Sequence, residues 1–333
     1  MPQHPFLPSL LALLVLLSNL LPLRAQQLFE EQPEFAPAEL DKIYVRGLQF
    51  LARGQSTEGA WPDAPYGAEP AVVGLAVVSM LAHGDDANLG PYGDTIRHGL
   101  DYILKQMDEK TGYIGRSMYN HGFATLALAE SYGMVDDARI GPALQKAVKL
   151  ILSVQAKNPL GGWRYTPEST DADTTVSGAQ MVALFAARNA GMAVPDSAIE
   201  KGLKFFLNCQ TTEGGFGYTS AVGPNAARTA IGCLMLELAK QKESKNFKAA
   251  FAFLQKAPDE PAFQQYFLYY ASQAYFHGSP DLWRQWNAKN IKMLQATQNP
   301  DGSWSGQFGT TFGTAASLLS VALNYRYLPI YER

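Results

Sequence analysis

A glutamine near the end of an apolar helical stretch, followed within a few residues by glycine and an aromatic, recurs along almost the whole chain. The fullest copies are Gln155…Gly161-Gly162-Trp163, Gln210…Gly214-Gly215-Phe216 and Gln298…Asp301-Gly302-Ser303-Trp304. Looser copies are Gln55…Gly59-Ala60-Trp61 and Gln106…Gly112-Tyr113, and a sixth around Phe253-Leu254-Gln255 keeps only the helix and its glutamine. A self-similar period of about 45–55 residues means stacked units that share one continuous core. The phrase has a local reading. Glycine in a left-handed conformation ends a helix, the glutamine amide can bond helix-end backbone groups left without partners, and the aromatic ring covers that amide. Six such clasps would tie each outer helix to its neighbour.

Each unit reads as helix, glycine-rich turn, helix. The first helices place apolar residues at helical spacing, as in Leu100/Ile103/Leu104 and Leu203/Phe206/Leu207, among Lys, Glu and Arg, so one face is wet. The second helices are almost free of charge: Ala71–Ala82, Gly122–Tyr132, Val176–Ala190, Ala226–Leu238, Phe267–Phe276 and Thr314–Leu323. A helix that is apolar all round is buried on both sides. Six wet helices alternating with six dry ones predict an all-α chain, an (α/α)6 toroid of six helical hairpins, whose closure removes the apolar ends an open solenoid must cap.

Residues 1–25 read as a secretory signal peptide, with an apolar run from Leu10 to Leu23 and the small Ala25 before polar Gln26-Gln27. Residues 26–42 form a Pro- and Glu-rich leader and residues 43–333 a single toroid domain. The protein is therefore expected to be exported, periplasmic or extracellular, with no integral membrane segment after signal cleavage. Net charge is −3 with no basic tract, which argues against a nucleic-acid partner. Cys209 and Cys233 read as two buried thiols rather than a bridge. No cofactor and no metal are expected. The expected partner is an apolar small molecule, a glycan or a protein.

The inner helices of such a ring point their amino ends at one mouth, so polar residues at those ends should line a shared cavity. They include Glu69, Tyr119 and Asn120, then His121, Asp171, Asp173 and Thr174. Asn225, Arg228, Gln265, Tyr266, Tyr269, Thr310 and Thr311 continue the ring, with Gln273 a turn deeper than Tyr269. Asp171, Asp173 and Thr174 all suit helix capping. His121 is a candidate base or a partner for Asp173 across the ring, the alternative being a histidine satisfied near a helix start. Tyr266, Tyr269 and Gln273 read as pocket lining with polar tips, packing of a degenerate fifth repeat being the alternative. Arg228 on a dry helix needs a partner. It is expected to pair with Asp171, Asp173 or Glu69, the alternative being an anionic ligand.

The glutamine–glycine–aromatic phrase resembles that of the prenyltransferase and squalene-oxidase repeat proteins, the superfamily of squalene–hopene cyclases and protein prenyltransferase β subunits, over about residues 43–327. Tyr119-Asn120-His121-Gly122, Gly161-Gly162-Trp163-Arg164-Tyr165, Tyr269-Tyr270-Ala271-Ser272-Gln273-Ala274 and Leu328-Pro329-Ile330-Tyr331 resemble phrases of its exported single-domain bacterial members. Class II terpene cyclases carry Asp-x-Asp-Asp where this chain has Asp171-Ala172-Asp173-Thr174. The resemblance implies Asp173 as the acid that protonates an alkene or epoxide. Thr174 stands where the last acid of the motif would be, so the string is incomplete. The zinc-binding Asp-x-Cys of protein prenyltransferases is absent, and Asp85-Asp86 and Asp136-Asp137 lack the third acid of a diphosphate-binding motif. Three readings follow. The first is a ligand-binding or scaffold toroid. The second is a cyclase- or isomerase-type enzyme on an apolar isoprenoid-like substrate with Asp173 as general acid. The third, by analogy of fold, is a carbohydrate-active toroid with Glu69 and Asp173 as paired carboxylates.

Overall fold

The structure, a computed structural model, describes residues 38–257 and 263–331. The proposed signal peptide and most of the leader lie outside the described residues. Twelve α-helices follow in order: α1 (Ala38–Gly54), α2 (Pro70–Leu81), α3 (Gly93–Lys105), α4 (Met118–Ser131), α5 (Ile140–Lys157), α6 (Thr174–Asn189), α7 (Asp196–Asn208), α8 (Ala226–Leu238), α9 (Lys245–Lys256), α10 (Gln264–Gly278), α11 (Pro280–Thr297) and α12 (Thr310–Ala322). No strand occurs among the described residues, only isolated bridges such as Gln210–Phe216. The first helix begins at Ala38, ahead of the leader boundary at residue 42.

The even-numbered helices are the dry ones, and each packs on the next around a closed ring, α12 returning to α2. Small residues let them approach. A side chain at Gly74 of α2 would come within 2.7 Å of the Phe123 carbonyl on α4. The odd-numbered helices form the outer layer, burying one stripe each; α7 buries Ala198, Ile199, Gly202, Leu203, Phe205 and Phe206.

The clasps form at four of the six repeats, with a geometry more specific than expected. Each glutamine Nε2 donates twice, to the glycine of its own turn and to a carbonyl near the start of the next outer helix. Gln55 reaches Gly59 and Thr95, both at 3.0 Å. Gln155 reaches Gly161 and Ala198, both at 2.9 Å. Gln210 reaches Gly214 at 3.0 Å and Asn246 at 2.9 Å. Gln298 reaches Gly302 and Ile43, both at 2.9 Å, so the last repeat locks onto the first. Where the aromatic is tryptophan, its Nε1 donates to the carbonyl four residues before the glutamine: Trp61 to Leu51, Trp163 to Ile151 and Trp304 to Leu294. Phe216 has no such donor and packs edge-on against Phe206 instead. Each turn glycine has a positive φ and lies against the next outer helix; a side chain at Gly214 (φ 98°) would meet the Ala249 carbonyl at 2.4 Å. Two repeats depart from the pattern. Gln255 bonds its own helix at Phe251, and Gln106 is exposed with no side-chain bond of this kind.

Gln155→Ala should therefore cost about 2–3 kcal/mol in urea unfolding, because two buried acceptors lose their donor. Gln106→Ala should fall within about 0.5 kcal/mol of the parent. Equal losses would show that the clasps do not hold the ring.

Two features close the lower half of the ring. Phe123 of α4 and Tyr269 of α10 meet across it, centroids 6.1 Å apart. At the carboxyl ends of the inner helices the turn Pro329–Tyr331 packs on α6, and the Ile330 backbone bonds the Glu130 carboxyl of α4. No helix among the described residues is long and apolar enough to cross a membrane.

Candidate ligand cavity and its capped acids

Above the Phe123–Tyr269 floor lies a cavity of about 680 Å³, opening at the amino ends of the inner helices. All six contribute: Val72 from α2, Tyr119 from α4, Thr175 from α6, Ala227 from α8, Tyr266 from α10 and Phe312 from α12. The wall is mostly aliphatic and aromatic, and loop aromatics (Tyr66, Tyr165, Tyr218, Phe263 and Phe308) form its upper part. Tyr66, Tyr165 and Phe263 are exposed at 40–45%.

Of the residues expected at the mouth, Glu69, Tyr119, Arg228 and Tyr266 line the cavity, as do Asn120 and Asn225. Glu69 is not free: its carboxylate accepts from Asn120 Nδ2, while Asn120 Oδ1 accepts from the Ala71 backbone at 3.2 Å. Burial raises the pKa of Tyr119 and Tyr266, so their hydroxyls stay protonated at neutral pH.

The other expected residues lie elsewhere. Asp173 is fully buried and caps α6. Its Oδ1 accepts from the backbones of Thr175 (2.9 Å) and Val176 (2.8 Å) and from the Thr175 hydroxyl (2.6 Å). Its Oδ2 faces Arg164 Nη1 at 3.2 Å. Ser117 and Asn225 do the same work in the neighbouring repeats, capping α4 and α8. Burial raises the Asp173 pKa, against the hydrogen bonds from Thr175 and Val176 and the charge of Arg164. Asp171 is exposed and pairs with the same arginine, Nε to Oδ2 at 3.3 Å. Thr174 is turned away from the cavity and bonds the Gly217 carbonyl at 2.9 Å.

His121 does not meet Asp173. It is buried between α4 and α5, where Nδ1 accepts from the Ile114 backbone (3.2 Å) and Nε2 donates to the Ala147 carbonyl (3.1 Å). Burial pushes its pKa down to about 4, which keeps it neutral. The repeats explain its place. Ser177, Thr229 and Thr314 also accept the backbone N–H of the residue at the turn, Trp163, Phe216 and Trp304 respectively. Tyr269 belongs to the floor, and Gln273 lies buried beneath it with Nε2 on the Tyr269 carbonyl.

Arg228 forms none of the ion pairs expected of it. Its Nη2 donates to the Gly223 carbonyl at 2.7 Å and its guanidinium lies 5.8 Å from the Tyr218 ring centroid. The cation that meets Asp171 and Asp173 is Arg164, held between the Tyr165 and Tyr218 rings at 5.0 Å from each. Sequence reasoning missed that role, although Arg164 stands directly after the turn tryptophan and within ten residues of both acids. The rim aromatics Tyr66, Phe263 and Phe308 sit on aperiodic loops and leave no pattern. No group of three or more His, Cys, Asp and Glu that could hold a metal occurs among the described residues.

A closed ring of helical hairpins with one cavity at the inner amino ends defines a class of α-toroid proteins. This chain belongs to the prenyltransferase alpha-alpha toroid domain family, whose model matches residues 89–265. Among solved structures it is similar to the type II terpene cyclase MstE from Scytonema, at TM-score 0.62 and 16% identity, covering 87% of this chain and 99% of that one. It is also similar to a family 76 glycoside hydrolase, a mannosidase, from Bacteroides thetaiotaomicron, at TM-score 0.68 and 12% identity, covering 86% and 98%. At these identities the likeness is one of fold. No curated protein matches the sequence.

Proposed function

We propose that the chain is an exported ligand-binding toroid whose cavity takes an elongated apolar small molecule, and that Asp173 serves the fold rather than acid catalysis. Export rests on the reading of residues 1–25. The observation that carries the proposal is the wall: rings and aliphatic side chains surround about 680 Å³, with few polar groups left uncommitted. The cyclase MstE has been described with geranylgeranyl dihydroxybenzoate, and an α-1,6-mannanase of the other fold relative's type with α-1,6-mannotetrose. The wall favours the first kind of ligand. Glycoside hydrolysis uses two carboxylates flanking the bond, and among the described residues Glu69 is the one carboxylate lining the cavity. A cyclase acid must hand its proton to the substrate. Asp173 Oδ1 already accepts three hydrogen bonds and Oδ2 faces a cation.

Titration calorimetry with farnesol, oleyl alcohol and mannotetraose tests this. Binding of the alcohols and not the oligosaccharide is expected, with no product by mass spectrometry. Asp173→Asn, which keeps a capping oxygen, should change alcohol affinity by no more than about two-fold. Conversion of farnesol that disappears in Asp173→Asn would overturn the proposal, as would a preference for mannotetraose.

A further inference from the structure

We infer that the ring opens on one side: the amino half of α10, with Phe263 before it, parts from α11 and α12 and widens the mouth of the cavity, while the opposite seam serves as the hinge. The inference concerns the motion of the ring and holds whatever ligand the cavity takes.

The clasps divide the ring. Gln298 ties the sixth repeat to the first, and Gln55 the first to the second. Gln155 ties the third to the fourth, and Gln210 the fourth to the fifth. Two half-rings of three repeats result, and the unclasped seams between them lie on opposite sides. The seams differ. Between the second and third repeats the inner layer is bonded: Gln180 Nε2 donates to the Met118 carbonyl at 2.6 Å, and the Met118 N–H to the Tyr165 carbonyl at 2.8 Å. Outside, Lys146 Nζ donates to the Glu109 carbonyl at 3.1 Å. Between the fifth and sixth, Gln255 turns back onto its own helix. There a hollow of about 210 Å³ lies between Gln264, Gln265 and Leu268 of α10 and Met293, Leu294 and Thr297 of α11. Phe263 and Tyr266 of the same stretch line the main cavity, so the first turns of α10 have open space on both sides. Phe263 stands at the helix cap without a side-chain acceptor, where α4, α6 and α8 have Ser117, Asp173 and Asn225. Gln265 Nε2 crosses the seam to the Ser305 carbonyl at 2.9 Å, an exposed bond that water can replace. The Phe263 and Phe308 rings also meet across it, stacked with centroids 6.2 Å apart, a contact that tolerates sliding. The other end of the seam is fixed. Ser279 alone joins α10 to α11, Tyr275 stacks on Trp286 at 5.5 Å, and Phe276 meets Trp283 edge-on at 5.4 Å. Parting is thereby confined to the mouth, as a hairpin opening about its closed end.

A reducible thiol cross-linker tests this on the full chain. Gln265→Cys with Ser305→Cys places it across the proposed opening, and Arg53→Cys with Asp301→Cys places it across the clasped seam from the sixth repeat to the first. Cys209 and Cys233 are buried, away from the reagent. Circular dichroism and thermal melts establish that each pair retains the fold. Hydrogen exchange reads the motion without a ligand. Amides 268–271 of α10 should exchange at least about ten-fold faster than amides 178–181, at the same positions in α6. The 265–305 link should remove most of that difference, reduction of the link should restore it, and the 53–301 link should leave it unchanged. Stopped-flow mixing with farnesol reads the consequence. The 265–305 link should slow association at least about ten-fold, reversibly, and the 53–301 link by less than about two-fold. Equal protection of the two helices overturns the inference, as does farnesol association that the 265–305 link leaves unchanged or that both links slow alike. If farnesol does not bind the parent chain, the apolar-ligand reading falls, and hydrogen exchange alone decides whether the seam opens.

Discussion

Arg164→Met is expected to destabilise the protein by roughly 3–5 kcal/mol at pH 7, because it strips the counter-ion from a carboxylate that stays buried. Methionine retains an apolar stem between Tyr165 and Tyr218, so the change isolates the charge. Asp173 keeps its three donors in the variant, but burial already raises its pKa and nothing then opposes the desolvation with positive charge. The deficit should accordingly shrink as pH falls and the carboxyl takes up its proton. In an Asp173→Asn background the same Arg164→Met change should cost much less, and urea unfolding of the four proteins gives the coupling directly. A loss unaffected by the Asp173→Asn background would mean that Arg164 acts through the tyrosine stack alone.

Glu130 governs the opposite end of the toroid and gives the second large effect. It lies 3% exposed on α4, accepts a bond from the Ile330 backbone, and has one carboxyl oxygen, Oε2, without a partner. Tyr269 on α10 and Tyr331 in the last turn are near enough to feel its charge. Burial pushes its pKa up to about 8 from 4.5. The folded state therefore prefers the neutral acid. Its contribution is fully present below about pH 4.5 and is lost as pH rises through about 8. At about 1.4 kcal/mol per pKa unit, the parent should lose roughly 4 kcal/mol relative to Glu130→Gln between pH 5 and 8.5. His121 works the other way, losing its contribution as pH falls from 6.5 through about 4. The difference between parent and Glu130→Gln, followed by urea unfolding across this range, isolates Glu130. A flat difference would show that the carboxyl is already hydrated in the fold.

The architecture was legible because burial and the turn phrase act locally and repeat. Dry helices such as Ala226–Leu238 announce themselves by composition, and Gln298…Trp304 matches Gln155…Trp163 because the same backbone geometry is satisfied at each of the four clasped turns. Several inner helices begin ahead of the apolar pattern, α4 at Met118 and α12 at Thr310, whereas α8 begins at Ala226 as the pattern has it. On α4 the extra turn brings Tyr119 and Asn120 to the cavity, while His121 turns toward α5. Site roles were less legible. His121 looked chemical in isolation, yet it holds the position of Ser177, Thr229 and Thr314, and aligning the repeats on their helix caps would have shown it as an acceptor for a turn amide. Asp173 likewise aligns with Ser117 and Asn225. The Arg164 pairing turned on which of two arginines reaches the acids, and that depends on loop paths which periodicity does not describe.

The floor where Phe123 meets Tyr269, with the Pro329–Tyr331 turn below it, makes this ring a cup rather than a pipe. Traffic through a cup is first in, last out. Whatever settles deepest departs by the route it entered, past Tyr66 and Phe263, and a second molecule above it acts as a stopper. Residence time is then a property of the rim, and substitutions at those two loop aromatics should change how long a guest stays more than how strongly the depths of the cavity hold it.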